Sequence, residues 1–291
     1  MAADEGTPRI SIRSRGDLIA FLFDRGLDDA KIVALRAAWR VLPFLHITPQ
    51  TERSFERAAL SLFRVTLTVQ RTVADGVIAE AAISASNLAS AYENPNSVRV
   101  EVLMAVASAA QAADPANIPA KGGNAAAHCA LNTVAYAARV GFSAYGLELE
   151  EAWLSVEKDC NEMQGKSASN LLSHSLWYRG PPHWAQNSAQ KFYAKLNDLG
   201  EAWPLIGYWY KQILADATVD PFPTQALNEI ANESRAFWGD GDDNPRTPDL
   251  VIADIAKRLC WRDNADGDTE GSQTVRPELN LNAMQKIERF I

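Results

Sequence analysis

Apolar residues recur along this chain every three or four positions almost from end to end, and no stretch alternates apolar with polar residues in the β-branched manner of a half-buried strand. The pattern predicts an all-α protein, a multi-helix array or bundle of about eight to twelve helices with no significant sheet. Capping chemistry marks the ends. Ser14 and Asp17 make a capping box for a short helix that turns Leu18, Phe21 and Leu22 inward and closes at Gly26. Asp28 is placed to cap a second helix bearing Ile32, Leu35, Trp39 and Leu42, ending near Pro43 because proline disfavours helix in the residue before it. Thr48-Pro49 offers an N-cap and a first-turn proline to a third helix, reaching about Thr72, with Phe55, Leu62 and Val69 on one face.

From about residue 76 to 143 the chain is rich in alanine, the best helix former, and breaks at Asn94-Pro95-Asn96 and over Asp114 to Gly123 divide it into about three helices. Another helix starts after Gly146 with Leu149, Trp153 and Val156 inward. Gly180-Pro181-Pro182 breaks the pattern and places Pro182 in the first turn of the next helix. Thr247-Pro248 opens a helix carrying Leu250, Ile252, Ile255 and Leu259. Arg262 to Ser272 reads as a polar loop, and a final helix from about Pro277 carries Leu281, Met284, Ile287 and Ile291. Its apolar face is still running at Phe290-Ile291, so it either folds back on the body or continues into something else. The domain reading is one helical body over 1–291: an Ala-rich half (1–146), a Trp-rich half (147–261), and an acidic loop with a last helix (262–291).

Composition narrows the class. At 47% hydrophobic and 22% charged, the chain is neither disordered nor collagen-like. A net charge of −8 argues against a nucleic-acid-binding surface, which needs excess Lys and Arg. That acidity is local: residues 1–100 hold 12 Arg and Lys against 11 Asp and Glu, whereas 239–271 hold 9 acids against 4 bases, which reads as a solvated stretch. Cys129, Cys160 and Cys260 are far apart and form no C-x-x-C pair, which fits free, mostly buried thiols in a reducing cytoplasm. The polar, acidic first residues are the opposite of a secretory leader, and no apolar run is long enough to cross a membrane. A cytoplasmic protein that binds neither membrane nor nucleic acid is the expectation.

Candidate chemistry is sparse. The aromatic run from Trp177 to Tyr210 fits either a ligand-pocket wall or inter-helix core. Trp203, Ile206, Tyr210 and Ile213 share one helical face and read as core, while Tyr208 and Trp209 fall on other faces, leaving one of them free to reach solvent. Trp177, Trp184, Tyr208, Trp209, Phe290 and Ile291 are therefore the candidate ligand- or partner-binding residues. The four histidines have no neighbour at ligand spacing, so no metal is expected through them. The runs from Asp240 and Asp263 miss the EF-hand register and read as solvated loop. Asp216 and Asp220 have the D-x-x-x-D spacing of a diphosphate-binding Mg²⁺ site, but no second motif faces them. Glu148 and Glu151 supply only half of the E-x-x-E and E-x-x-D pair of helical pyrophosphatases. There is no G-x-S-x-G, P-loop or G-x-G-x-x-G motif, and no cofactor is called for. Arg9, Arg13 and Arg15 read as a solvated edge.

Leu176, Trp177, Gly180, Pro182, Trp184 and Ala185, then Glu201, Trp203, Trp209 and Tyr210, make the pattern L-W-x-x-G-x-P-x-W-A, E-x-W and W-Y; Phe237 to Gly241 follows as a closing motif. These segments resemble a group of uncharacterised proteobacterial proteins with Ala-rich helices. The resemblance covers roughly residues 170–260, with the Ala-rich region alike in composition. It implies a helical fold, a bacterial origin and a region that often precedes other domains, and it carries no activity. The shared Trp-then-Gly pattern at Trp177 and Trp238 suggests similar helix ends. Two functions stand: a non-catalytic helical interaction, sensing or scaffold module acting through a protein partner or self-association, which the sequence favours, and an all-α Mg²⁺-dependent enzyme acting on a phosphorylated or lipid-like small molecule.

Overall fold

Eleven α-helices and one 3-10 helix, with no strand, make up the regular structure of the described residues in the computed structural model, as the spacing of apolar residues predicts. The residues described are 9–23, 25–47, 52–71, 77–90, 98–113, 124–145, 149–164, 171–172, 174–177, 180–215, 221–239 and 246–261. In order they form α1 (Arg15–Phe23), α2 (Leu27–Val41), η1 (Leu42–Ile47), α3 (Glu52–Gln70), α4 (Val77–Ser90), α5 (Val98–Ala113) and α6 (Asn124–Tyr145). Then come α7 (Leu149–Glu162), α8 (His183–Leu199), α9 (Pro204–Ala215), α10 (Thr224–Ala231) and α11 (Pro248–Arg258).

The first boundary follows its capping box: the Asp17 amide donates to Ser14 Oγ at 3.2 Å, and Asp17 Oδ2 accepts from the Arg13 amide at 3.0 Å. Ser14 Oγ also donates to Asp17 Oδ2 at 2.8 Å, and that bond, followed by the one from the Arg13 amide, holds the Asp17 carboxyl below its ordinary range. Phe21 is less buried than Leu18 and Leu22; the Arg25 guanidinium covers its ring at 4.2 Å. Asp28 is not the cap of α2. Gly26 is, with extended backbone, and Asp28 and Asp29 sit in the first turn, where their charge suits the exposed amides. Pro43 ends α2 as expected and the chain tightens into η1. Pro43 has no N–H for the Trp39 carbonyl four residues back, and the Tyr210 hydroxyl donates to that oxygen instead, at 2.7 Å.

The Ala-rich stretch forms α4, α5 and α6, each packed on the next, with α2 laid against both α5 and α6. Helix α5 is buried around its circumference: Val102, Leu103, Ala105, Val106, Ala107, Ala109, Ala110 and Ala112 are all inaccessible. A helix apolar on every side belongs in the middle, and α5 touches α2, η1, α3, α4 and α6. Alanine is what allows this, since axial separation is set by the side chains at the contact. Two buried threonine hydroxyls in the core are satisfied locally, Thr66 on the Leu62 carbonyl and Thr133 on that of Cys129.

The Trp-rich half fastens onto this core through aromatic edges. Trp209 meets Phe63 of α3 at 4.9 Å, and Phe192 of α8 meets Phe55 of α3 at 6.1 Å and Tyr210 at 6.2 Å. Trp203, Ile206, Tyr210 and Ile213 are all buried, so that face is core. Helices α10 and α11 also pack on α3. In α11, Leu250 points outward at 58% exposure while Val251, Ile252, Ile255 and Leu259 are buried: the inward stripe starts one residue later than expected. Thr247 is the N-cap but its side chain makes no capping bond. Pro182, likewise, is the N-cap of α8 rather than a first-turn residue.

Helix α11 ends in a Schellman motif. The Trp261 amide bonds the Ala256 carbonyl at 2.8 Å and the Cys260 amide bonds that of Lys257 at 3.2 Å. The position between, normally glycine, is Cys260, held at φ +51°. The thiols are accordingly mixed: Cys160 is buried, Cys129 partly so, and Cys260 is exposed, against the expectation of a mostly buried set.

Candidate functional site

The charged centre of the described structure lies where α2, α7 and the segment around 171–177 meet. Arg36 and Arg40, one turn apart, stand among the buried residues of α2 with only 3% and 7% of their surface accessible. From α7, Asp159, 4% accessible, comes between them. Arg36 Nε donates to Asp159 Oδ1 at 3.1 Å and Arg40 Nη2 to Oδ2 at 2.7 Å. The rest of each fork reaches backbone: Arg36 donates to the carbonyls of Leu171 (2.6 Å), His174 (3.1 Å) and Ser175 (2.9 Å), and Arg40 to that of Leu176 (3.1 Å from Nη2). A segment with little regular structure exposes carbonyls that need donors, and planar guanidinium groups supply several from one side chain. Burial depresses the Arg36 pKa and the neighbouring Asp159 opposes that shift, which leaves the group charged at neutral pH.

A cleft of about 330 Å³ opens over this centre. Among the described residues, Arg36, Arg40 and Lys158 supply three cationic side chains to its lining and Asp159 and Glu162 two acidic ones, with Trp177, Leu171 and Leu176 as apolar wall. In a chain of net charge −8, this is a locally positive hollow. Trp177 stands with its ring centroid 5.8 Å from the Arg40 guanidinium and 5.3 Å, edge to face, from Trp184, which in turn lies 5.5 Å from Phe44. One nitrogen of the centre, Arg40 Nη1, is buried with no hydrogen-bond partner.

Among the sequence candidates, Trp177 and Trp184 are brought together, Trp177 on the cleft and both half-buried. Tyr208 lies elsewhere, half-buried against Phe222 at 5.7 Å and Trp261 at 5.3 Å, with its pKa raised by burial. Trp209, at 1% exposure, is a core residue against Phe63, so of that pair it is Tyr208 that reaches the surface. Phe290, Ile291, Asp216 and Asp220 lie outside the described residues. The L-W-x-x-G-x-P-x-W-A pattern acquires a physical meaning: Leu176 and Ala185 are buried, Gly180 has φ +83°, and Pro182 caps α8. Gly239 after Trp238 has φ +81°, but neither glycine ends an α-helix; each closes an irregular turn, and there the expectation of paired helix ends fails.

Sequence reasoning missed Arg36, Arg40 and Asp159. A signal existed: two arginines four apart inside an otherwise apolar helical face, where an unpaired charge is untenable. Asp159 falls three residues after the buried Val156, on the same inward face of α7. His46 is bonded through Nδ1 to the Pro43 carbonyl at 2.7 Å, with its pKa lowered mainly by burial, and burial raises the Cys129 and Cys160 thiols, against reactivity. Among the described residues no three His, Cys, Asp or Glu side chains are grouped to hold a metal ion, and no helix is long and apolar enough to cross a membrane. No known protein family, curated protein or solved structure matches the chain.

Proposed function

We propose that the chain is a non-catalytic helical sensing module of a bacterial, cytoplasmic protein, in which the cleft between α2, α7 and the stretch carrying Leu171, residues 174–177 and Gly180 holds a ligand. A protein partner or a second copy of the chain reads its presence through the helical faces. The observation that carries this reading is the double use of the arginines: Arg36 and Arg40 line the cleft and also hold the carbonyls of Leu171, His174, Ser175 and Leu176. Occupation of the cleft therefore bears directly on the packing of that segment. Both oxygens of the central carboxylate, Asp159, are engaged by arginine, so the centre is arranged to hold rather than to abstract a proton. Its excess positive charge also opposes a Mg²⁺ ion, the requirement of the enzyme alternative.

Native mass spectrometry on the full chain purified from its own cells tests the proposal. A stoichiometric adduct, lost on Trp177→Ala, supports a ligand-holding module; a defined complex whose population changes when the adduct is stripped supports the signalling step. A bare monomer with neither overturns the reading.

A further inference from the structure

The cleft over α2 and α7 has a directional preference that the sensing proposal does not itself specify. One of its charged side chains is Arg40, more than nine-tenths buried, whose Nη2 is committed to Asp159 and Leu176 while Nη1 has no partner. A buried guanidinium N–H left unpaired is costly, and the group that relieves it must be an acceptor, best an anionic one. Arg36 and Lys158 add positive charge to the same lining, where among the described residues cationic side chains outnumber acidic ones by three to two. Trp177 adds a flat wall within cation–π range of Arg40. A volume of about 330 Å³ admits a small molecule.

We infer that the cleft takes a small organic oxyanion, its carboxylate or phosphate drawn to the guanidinium of Arg40, whose Nη1 is buried and unpartnered, and its planar apolar part laid along Trp177. Arg36, whose donors all reach Asp159 or backbone, contributes field rather than a contact. Lys158 sits on α7 one residue before the central carboxylate and on the lining, where its charge favours an anion's entry. This inference rests on the ligand-holding reading above and narrows it to one chemistry.

The test uses the full chain with its eight tryptophans labelled as 5-fluorotryptophan, followed by ¹⁹F NMR, with Trp177→Phe identifying the Trp177 signal. Benzoate, its neutral analogue benzamide and inorganic phosphate are each titrated to about 20 mM at constant ionic strength, the range in which fragment-sized ligands bind. The expected result is a saturable shift of the Trp177 signal with benzoate or phosphate and none with benzamide; which anion acts separates a carboxylate ligand from a phosphate. Arg40→Lys, which keeps the charge but loses the fork, raises the half-saturation point about tenfold, the value of one charge-assisted hydrogen bond. If that variant does not fold, the comparison of benzoate with benzamide on the unaltered chain still decides. A Trp177 signal unmoved by both anions, or moved as far by benzamide, overturns the inference. A neutral or cationic adduct in native mass spectrometry would overturn it while leaving the ligand-holding reading in place.

Discussion

Replacing Asp159 by Asn is the sharpest perturbation of the charged centre. The substitution keeps shape and volume and leaves no cavity, so what is lost is the charge and one of two acceptors, whose place an NH2 donor takes against a guanidinium. Asp159 is 4% accessible and touches one guanidinium with each oxygen, at 3.1 and 2.7 Å. Removing one member of a buried ion pair costs about 3–5 kcal/mol, because the charge left behind is neither solvated nor paired. Here two arginines are left, one turn apart, and Arg40 already disfavours the charged form of Arg36. The carbonyls of Leu171, His174, Ser175 and Leu176 remain as acceptors, which places the expected loss near the lower end, about 3 kcal/mol. Urea unfolding followed by tryptophan fluorescence and far-UV circular dichroism measures it. Limited digestion with chymotrypsin adds a local readout, since cleavage near Leu176 and Trp177 should appear in the variant before global unfolding. The exposed pair Glu233–Arg258 is the internal control, where Glu233→Gln should cost no more than about 1 kcal/mol and be sensitive to salt. A loss for Asp159→Asn as small as that control, or one abolished by 1 M salt, would refute the argument, because the centre would then behave as a solvated surface pair.

Tyr210→Phe removes the buried bond to the Trp39 carbonyl and should cost about 1–3 kcal/mol in the same urea assay. Burial raises the phenol pKa of both Tyr210 and Tyr193. The folded state then keeps protons that the unfolded chain releases near pH 10, so stability is intact below that pH and falls as pH rises through it. Of seven tyrosines, no more than five should ionise in the native chain, read by absorbance at 295 nm; all seven titrating together before unfolding would contradict the burial. Cys260→Gly relieves a left-handed backbone at φ +51° and should raise stability by about 1 kcal/mol. Gly239→Ala should lower it by more than about 1 kcal/mol, since φ is +81° and a Cβ would lie 2.6 Å from the Arg246 carbonyl oxygen. In thiol labelling of the folded protein Cys260 should react first and Cys160 only on unfolding, and early labelling of Cys160 would count against its burial.

What was legible in the chain is what neighbours decide. Helix positions follow from apolar spacing and from caps and prolines within a few residues, which is why the Ser14–Asp17 box, the stop at Pro43 and the burial of Phe55, Leu62 and Val69 could all be read in advance. Errors of one residue at Leu250 and two at Asp28 arise where a helix begins, since a shift of one position turns the stripe by a hundred degrees. The centre itself was not legible because Arg36 and Asp159 are 123 positions apart, and periodicity says that a face is buried without saying which other face covers it. For the same reason Tyr208 and Trp209, adjacent in sequence, could not be told apart: only the position of Phe63 puts one in the core and leaves the other half-buried.

The physical tension in this molecule is that its most expensive side chains hold its least regular part. Two buried arginines and a carboxylate are a poor choice for stability alone, since well-packed apolar residues of similar volume often do as well or better. Their distinctive capacity is to satisfy several backbone carbonyls of one segment from a single point. That arrangement makes the segment from Leu171 to Trp177 dependent on charge inside the fold, and the same cleft brings any bound anion within the reach of that charge. Coupling between two such sites is reciprocal: an anion that binds better when the segment is docked must, by the same factor, favour docking. A substitution that loosens the segment without touching the cleft should therefore weaken anion binding by the factor that saturating anion tightens the segment. Leu172→Ala, which removes a half-buried side chain packed against the core and absent from the cleft lining, is such a substitution. Equal factors from benzoate titration and from chymotrypsin protection would establish the coupling, whereas binding that ignores the loosened segment would reduce the arginine centre to a structural staple.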